Sequence, residues 1–234
     1  MARGSKRGDG SRMMATRVKT ARGRANGSTR WLQRQLNDPY VVKANAAGYR
    51  SRAAFKLIEL DDRFQILKPN SRIVDLGAAP GGWTQVAAER TRSGRIVGID
   101  ILSMDPIDGS EVLKLDIFAE DAIRQITDAL GGTEADIVLS DMAPSTTGHK
   151  RTDQLRIAAI AEAAYDVAHR LLAPGGTFVV KVFQGGAPPE LLENLKQDFA
   201  TVRHAKPPAS RSDSAEMYLV ATGFRRPQSA PLDS

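Results

Sequence analysis

From about residue 70 the chain alternates short β-branched, apolar runs with stretches of helical composition, and this alternation limits the fold more than any other feature. RIVDLG (72–77), GRIVGID (94–100), EVLKLD (111–116), ADIVLSD (135–141) and TFVVKVF (177–183) read as strands, followed by two β-like runs, ATVRHAK (200–206) and AEMYLVATGF (215–224). Helical stretches fall at 82–91, at 118–130, at about 153–172 and from Pro189. In the longest, Ile157, Ile160, Ala161, Ala164, Val167, Ala168 and Leu171 recur at three- and four-residue spacings, giving one apolar face, and APGG (173–176) stops it. Such alternation predicts an α/β protein whose open, mostly parallel sheet is covered by helices on both faces. At 234 residues and 41% hydrophobic content the chain can bury one such core, and a second full domain would be crowded. One domain plus tails is the expectation.

Open α/β sheets bind ligands beyond the carboxyl ends of their strands, where the strand order reverses. The residues that close the apolar strands here are Asp75, Asp100, Asp116, Asp141 and Lys181, more charge than core patterning requires. DLGAAPGGW (75–83) joins the first strand to the first helix through Gly77, Gly81 and Gly82, suited to a turn that brings backbone close to a ligand. Asp100 ends the next strand, where a carboxylate would accept from both hydroxyls of an adenosine ribose. Asp116 could accept from the adenine amino group, and Trp83 could pack near the same pocket. The glycines do not follow the G-x-G-x-x-G order, and Pro80 lacks an N–H where a pyrophosphate would want one. An amino-acid-bearing cofactor therefore fits better than a dinucleotide. Lys181, within a strand of Val and Phe, either snorkels to solvent or turns into the cleft beside Asp141, and its surroundings in sequence leave both open.

With no cysteine, the chain has no disulfide, thiolate nucleophile or cysteine-ligated metal, and His149, His169 and His204 lack metal-ligand spacing. Chemistry must run on carboxylates, lysines, hydroxyls or a bound organic cofactor. Charge is uneven. Residues 1–30 hold nine Lys or Arg against Asp9, a balance of +8, whereas the whole chain is +6, so the remainder sums to −2. This Gly-, Ser- and Arg-rich arm is expected to be disordered when free. It reads as a grip on phosphates, as a solvated tail or as a transit peptide, though five glycines weaken the last. No apolar run approaches 18 residues and no secretory core opens the chain, so neither a membrane span nor export is expected.

Taken together, DLGAAPGGW, SDMAP (140–144), VVKVFQG (179–185) and SRAAFKL (51–57) resemble the FtsJ/RrmJ (RlmE) family of ribosomal RNA large-subunit 2′-O-methyltransferases. RWLQRQLNDPYV (30–41), DILSMDPIDG (100–109) and SRSDSAEMYLVATG (210–223) extend the likeness over about residues 30–224. The resemblance implies a Rossmann-like S-adenosylmethionine-dependent methyltransferase fold with a mostly parallel seven-stranded sheet. It bounds a methyltransferase domain at 30–224, and the basic arm at 1–29, longer than the family core needs, and a short tail at 225–234 lie outside it. It places the family's Lys-Asp-Lys-Glu tetrad on Lys56, Asp141, Lys181 and Glu216, and its cofactor-binding positions on Gly81, Trp83, Asp100, Asp116 and Asp141. The implied reaction is 2′-O-methylation of a uridine in 23S ribosomal RNA, in the 50S subunit or its precursor, by a cytoplasmic monomer without metal. A tRNA substrate, or a non-catalytic RNA-binding role in ribosome assembly, is the alternative. Asp213 and the two serines of SDSAEMY, beside the tetrad glutamate, depart from the basic character expected there.

The chemistry asks for such a tetrad on its own grounds. Methyl transfer from a sulfonium is an in-line displacement, so the hydroxyl must be aligned and deprotonated. A lysine serves as base only when desolvation or a nearby cation lowers its pKa. Lys181 is therefore assigned as general base, with Lys56 as second cation and Asp141 and Glu216 as positioning and balancing groups. A buried ion-pair network without catalytic duty is the plain structural reading of the same residues. RNA phosphates are expected to meet Arg30, Arg52, Lys56 and the arm.

Overall fold

The computed structural model describes residues 36–144, 147–183 and 187–226. The arm at 1–29, Arg30, the Gln184–Gly185 end of VVKVFQG and most of the C-terminal tail lie outside the described residues. Two helices lead in, α1 (Pro39–Ala47) and α2 (Ala54–Phe64). Then follow β1 (Arg72–Leu76), α3 (Gly82–Thr91), β2 (Arg95–Asp100), β3 (Ser110–Lys114), α4 (Ala122–Ala129) and β4 (Ala135–Ser140). The chain continues through α5 (Lys150–Leu171), β5 (Leu172–Phe183), α6 (Pro189–Asp198), β6 (Phe199–Ala205) and β7 (Glu216–Phe224).

The seven strands form one sheet in the order β3-β2-β1-β4-β5-β7-β6. All neighbours are parallel except β7, which runs antiparallel to both β5 and β6. The order turns back between β1 and β4, so their carboxyl ends border the natural ligand crevice. Central strands such as β1 and β4 are buried almost throughout because helices cover both faces.

Strand parity sorts the two faces. Val74, Leu76, Val138, Phe178, Val180, Val182, Leu219 and Ala221 point to one side, where they meet α4, α5 and α6. Ile73, Ile137, Leu139, Val179, Tyr218 and Val220 point to the other, against α2 and α3. Extending the same two-residue period carries Asp75, Asp141, Lys181 and Glu216 onto the α2 face. On α2 itself Lys56 is flanked by Leu57 and Leu60, both buried in that core.

Several boundaries differ from the sequence expectation. The expected helix at 118–130 begins only at Ala122, because the Asp116 carboxylate accepts the Phe118 N–H at 3.0 Å and holds the chain in a turn. The expected start near Asp153 moves back to Lys150, where Asp153 instead accepts from Thr147 and Gly148 at the helix entrance. APGG belongs to the irregular beginning of β5, beside a register shift against β4 at Ala135/Ile137, and α5 ends before it at Leu171. β3 stops at Lys114, which leaves Asp116 two residues beyond the strand. Among the described residues no helix is long and apolar enough to cross a membrane.

Candidate active site

The turn from β1 into α3 lies at the crevice mouth. Gly81 takes φ +114°, and a Cβ there would come within 2.4 Å of the Ile107 side chain, so only glycine fits. Gly77 is equally restricted, because a Cβ would meet Met142 at 2.4 Å. The hydrogen bonds of this loop define its chemistry. Gly77 and Ala78 donate to the Ile99 carbonyl, Gly81 donates to Ala78, and Ala79 donates to the Asp100 carboxylate at 2.9 Å. Pro80 has no N–H. Four loop donors are thus committed within the protein, which leaves a poor cradle for phosphate.

The groups around the loop are instead acidic. Asp100 closes β2 and also accepts the Leu102 N–H at 2.8 Å, while Asp116 stands on the exposed turn after β3. Asp75 lies inside β1 rather than at its end, fully buried and accepting from the Thr84 hydroxyl at 2.7 Å. Burial pushes its carboxyl up to about 7, with Asp141 and Asp100 adding repulsion against the Thr84 bond. A narrow cavity runs along this loop, lined by Ser51, Ala53, Asp75, Gly77, Trp83 and Asp141 among others. Ser51 presents it a buried hydroxyl without a protein partner. Trp83 is 3% exposed, its indole N–H donates to the Ala53 carbonyl at 2.8 Å, and its ring packs 5.7 Å from that of Tyr218. It forms a wall of the cavity rather than a free stacking surface. A wider groove lies between α3 and the β2–β3 loop, lined by Arg50, Glu89, Arg92 and Asp108, but it holds no lysine–aspartate cluster.

Beside the cavity the two lysines and two acids named from sequence come together. Lys181 Nζ lies 3.0 Å from Asp141 Oδ1 and donates to the Asp141 carbonyl at 2.5 Å. Lys56 Nζ lies 3.4 Å from Asp141 Oδ2 and 3.1 Å from the Glu216 carboxylate. Both lysines are nearly enclosed, at 9% exposure for Lys56 and 7% for Lys181, so Lys181 turns into the cleft and does not snorkel. Burial alone would raise the Asp141 carboxyl, but Lys181, Lys56 and the Tyr218 hydroxyl outweigh it and hold Asp141 below the usual carboxylate range. Formal charge within the quartet sums to zero, which lets four ionisable groups share an interior site.

Sequence reasoning missed Tyr218. Its hydroxyl donates to Asp141 Oδ1 at 2.7 Å, its ring lies 5.8 Å below Lys56 Nζ, and burial pushes its own ionisation well above the ordinary value. Its place two residues from Glu216 on an apolar strand was the available signal. Arg52, expected to reach phosphate, instead pairs with Asp38 at 2.8 Å and donates to the Ala209 carbonyl.

A doubly wound sheet whose switch-point loop commits four N–H donors internally and gathers carboxylates, with two enclosed lysines beside it, has the features of a methyltransferase of the Rossmann-like class. Comparison with known proteins gives the family. A family model described as FtsJ-like methyltransferase matches residues 49–224, and the chain belongs to that family. Among curated relatives, "Ribosomal RNA large subunit methyltransferase E" of Paramagnetospirillum magneticum is 59% identical over 95% of this chain and 93% of its own length. The protein of the same name from Parvibaculum lavamentivorans is 57% identical over 96% of this chain and 92% of its own. A crystal structure described as a ribosomal RNA methyltransferase from Plasmodium falciparum superposes with TM-score 0.68 at 35% identity, covering 75% of this chain and 98% of that one.

Proposed function

We propose that the protein methylates the 2′-hydroxyl of a uridine in 23S ribosomal RNA of the large subunit, using S-adenosylmethionine. The observation that carries this reading is the enclosed Lys181–Asp141–Lys56–Glu216 cluster, whose Asp141 lines the cavity along the glycine loop. The names of its relatives, which span nearly their whole lengths, support ribosomal RNA as the acceptor.

The groups around the loop fit the cofactor. Asp100 retains acceptor capacity for ribose hydroxyls beyond the two N–H groups it already serves, and Asp116 is placed for a base amino group. Gly81 allows close approach of backbone, Trp83 walls the cavity, and Asp141 adds negative charge where a cationic group would lie. When bound, S-adenosylmethionine supplies a methyl carbon activated by a sulfonium.

Every other task falls to the chain. Lys181 Nζ, held by the Asp141 carboxylate and carbonyl, takes the proton of the 2′-hydroxyl and must be a neutral amine at that moment. Lys56 sets a second cation near it and orients the hydroxyl oxygen, while Glu216 holds Lys56. Asp141 balances both lysines, and Tyr218 fixes its rotamer.

The test is incubation with methyl-labelled cofactor and separately purified tRNA, 23S ribosomal RNA and 50S subunits, followed by digestion to nucleosides. Labelled 2′-O-methyluridine from the ribosomal samples is expected. Label in tRNA alone, or in a base, would overturn the assignment.

A further inference from the structure

The segment that delivers Glu216 is a strap, residues 206–215, between β6 and β7. Its middle is seated: Pro207, Ala209 and Ser210 are buried, Ala209 completely. Three residues of the N-terminal layer hold it there. Arg52 donates to the Ala209 carbonyl while its guanidinium pairs with Asp38 at 2.8 Å. Glu59 accepts the Ala209 N–H at 2.6 Å with one oxygen and the Tyr40 hydroxyl at 2.8 Å with the other. Asp38 also takes Arg211 of the strap at 3.3 Å. From this buckle the strap runs to Ser214, whose carbonyl accepts from Lys206 at 2.8 Å and whose hydroxyl accepts the Glu216 N–H at 3.2 Å.

Arg52 precedes α2, and four residues on that helix carries Lys56, the ammonium that Glu216 grips. One guanidinium thus ties the carrier of Lys56 to the carrier of Glu216. Its side chain is 15% exposed and that of Asp38 is 8% exposed, so neither charge is presented to solvent in the manner of a phosphate contact.

We infer that Arg52 is a positioning residue for methyl transfer, acting through the strap on Glu216 and not through RNA phosphate. The inference rests on the reaction proposed above, and deepens it. Arg52→Ala is expected to lower kcat about tenfold, as a displaced supporting group does. KM for RNA and the salt slope of RNA binding stay at wild-type values. In the Glu216→Gln background the same change adds no further loss, because the residue it acts through is already disabled. Amide exchange at 207–215, which needs no substrate, is expected to quicken in Arg52→Ala. Should that variant not fold, Glu59→Gln loosens the other side of Ala209 and gives the same kcat-selective loss.

A raised RNA KM with a salt slope shallower by about one would make Arg52 a phosphate contact and overturn the inference. Losses that multiply in the double variant would overturn it too. If the wild-type protein methylates no RNA while strap exchange still depends on Arg52, the failure belongs to the proposed reaction and not to the buckle.

Discussion

The two faces of the sheet are built from the same strands and differ in kind. Toward α4, α5 and α6 the buried side chains, Ser140 apart, are Val, Leu, Ile, Ala and Phe. Toward α2 and α3 the same strands bury Asp75, Lys181 and Tyr218 and nearly bury Asp141 and Glu216, beside the lysine of α2. Apolar burial contributes about 25 cal/mol per Å² without geometric demands, whereas each buried charge costs free energy unless its partner is in place. The first face therefore carries stability. The second gives some up for a fixed arrangement of charge, and variants should separate the two roles.

The largest separation is expected from Lys181→Ala. Loss of a general base lowers turnover by about 10²- to 10⁴-fold. Asp141 keeps Lys56 and the Tyr218 hydroxyl, so the fold and the cofactor site survive. Calorimetric titration with S-adenosylmethionine should give the wild-type affinity. Turnover within tenfold of wild type would remove Lys181 as the base. The opposite face should answer in reverse. Phe178 is fully buried, stacked 6.5 Å from Phe199 and remote in parity from the lysines. Phe178→Ala should cost about 3–5 kcal/mol of stability in urea unfolding. Turnover per folded molecule, measured well below the lowered Tm, should stay within twofold, and a selective loss of kcat would show that the faces are not independent.

Part of the site was legible beforehand. Charge closing apolar strands pointed to Asp141 and Lys181, and the likeness to a known family supplied Lys56 and Glu216. The helix at 82–91 and the strand termini at Asp100 and Phe224 followed from local pattern alone. Other features depended on contacts between residues far apart in sequence. Nothing local says that Arg52 spends its charge on Asp38 and Ala209, or that Lys181 chooses Asp141 over solvent. Helix starts failed where a side chain competed for backbone N–H groups, as Asp116 does at Phe118 and Asp153 at Thr147. The loop's shortage of free N–H donors was half visible in Pro80, and the rest needed the bonds to Ile99 and Asp100.

The smallest effect, and the finest probe of the charged face, belongs to Asp75. It touches Thr84 rather than the lysines, so it reports burial itself. Its folded pKa of about 7 lies above the unfolded value of 3.8. Between about pH 4 and 7 the folded chain keeps a proton that the unfolded chain has released. Linkage then makes stability decline as pH rises through that window, the reverse of the Asp141 contribution, which is present above the unfolded pKa and lost in acid. Asp75→Asn removes the titration while keeping the shape. At pH 5 it should differ from wild type by no more than about 1 kcal/mol, the scale of one altered hydrogen bond. As pH rises toward 8 the balance should shift in favour of the Asn variant. Urea unfolding of both proteins at intervals across that range reads the difference directly. If the two stability curves ran parallel, Asp75 would be ionised throughout, and the charged face would tolerate an unpaired carboxylate that the physics of burial says it should not.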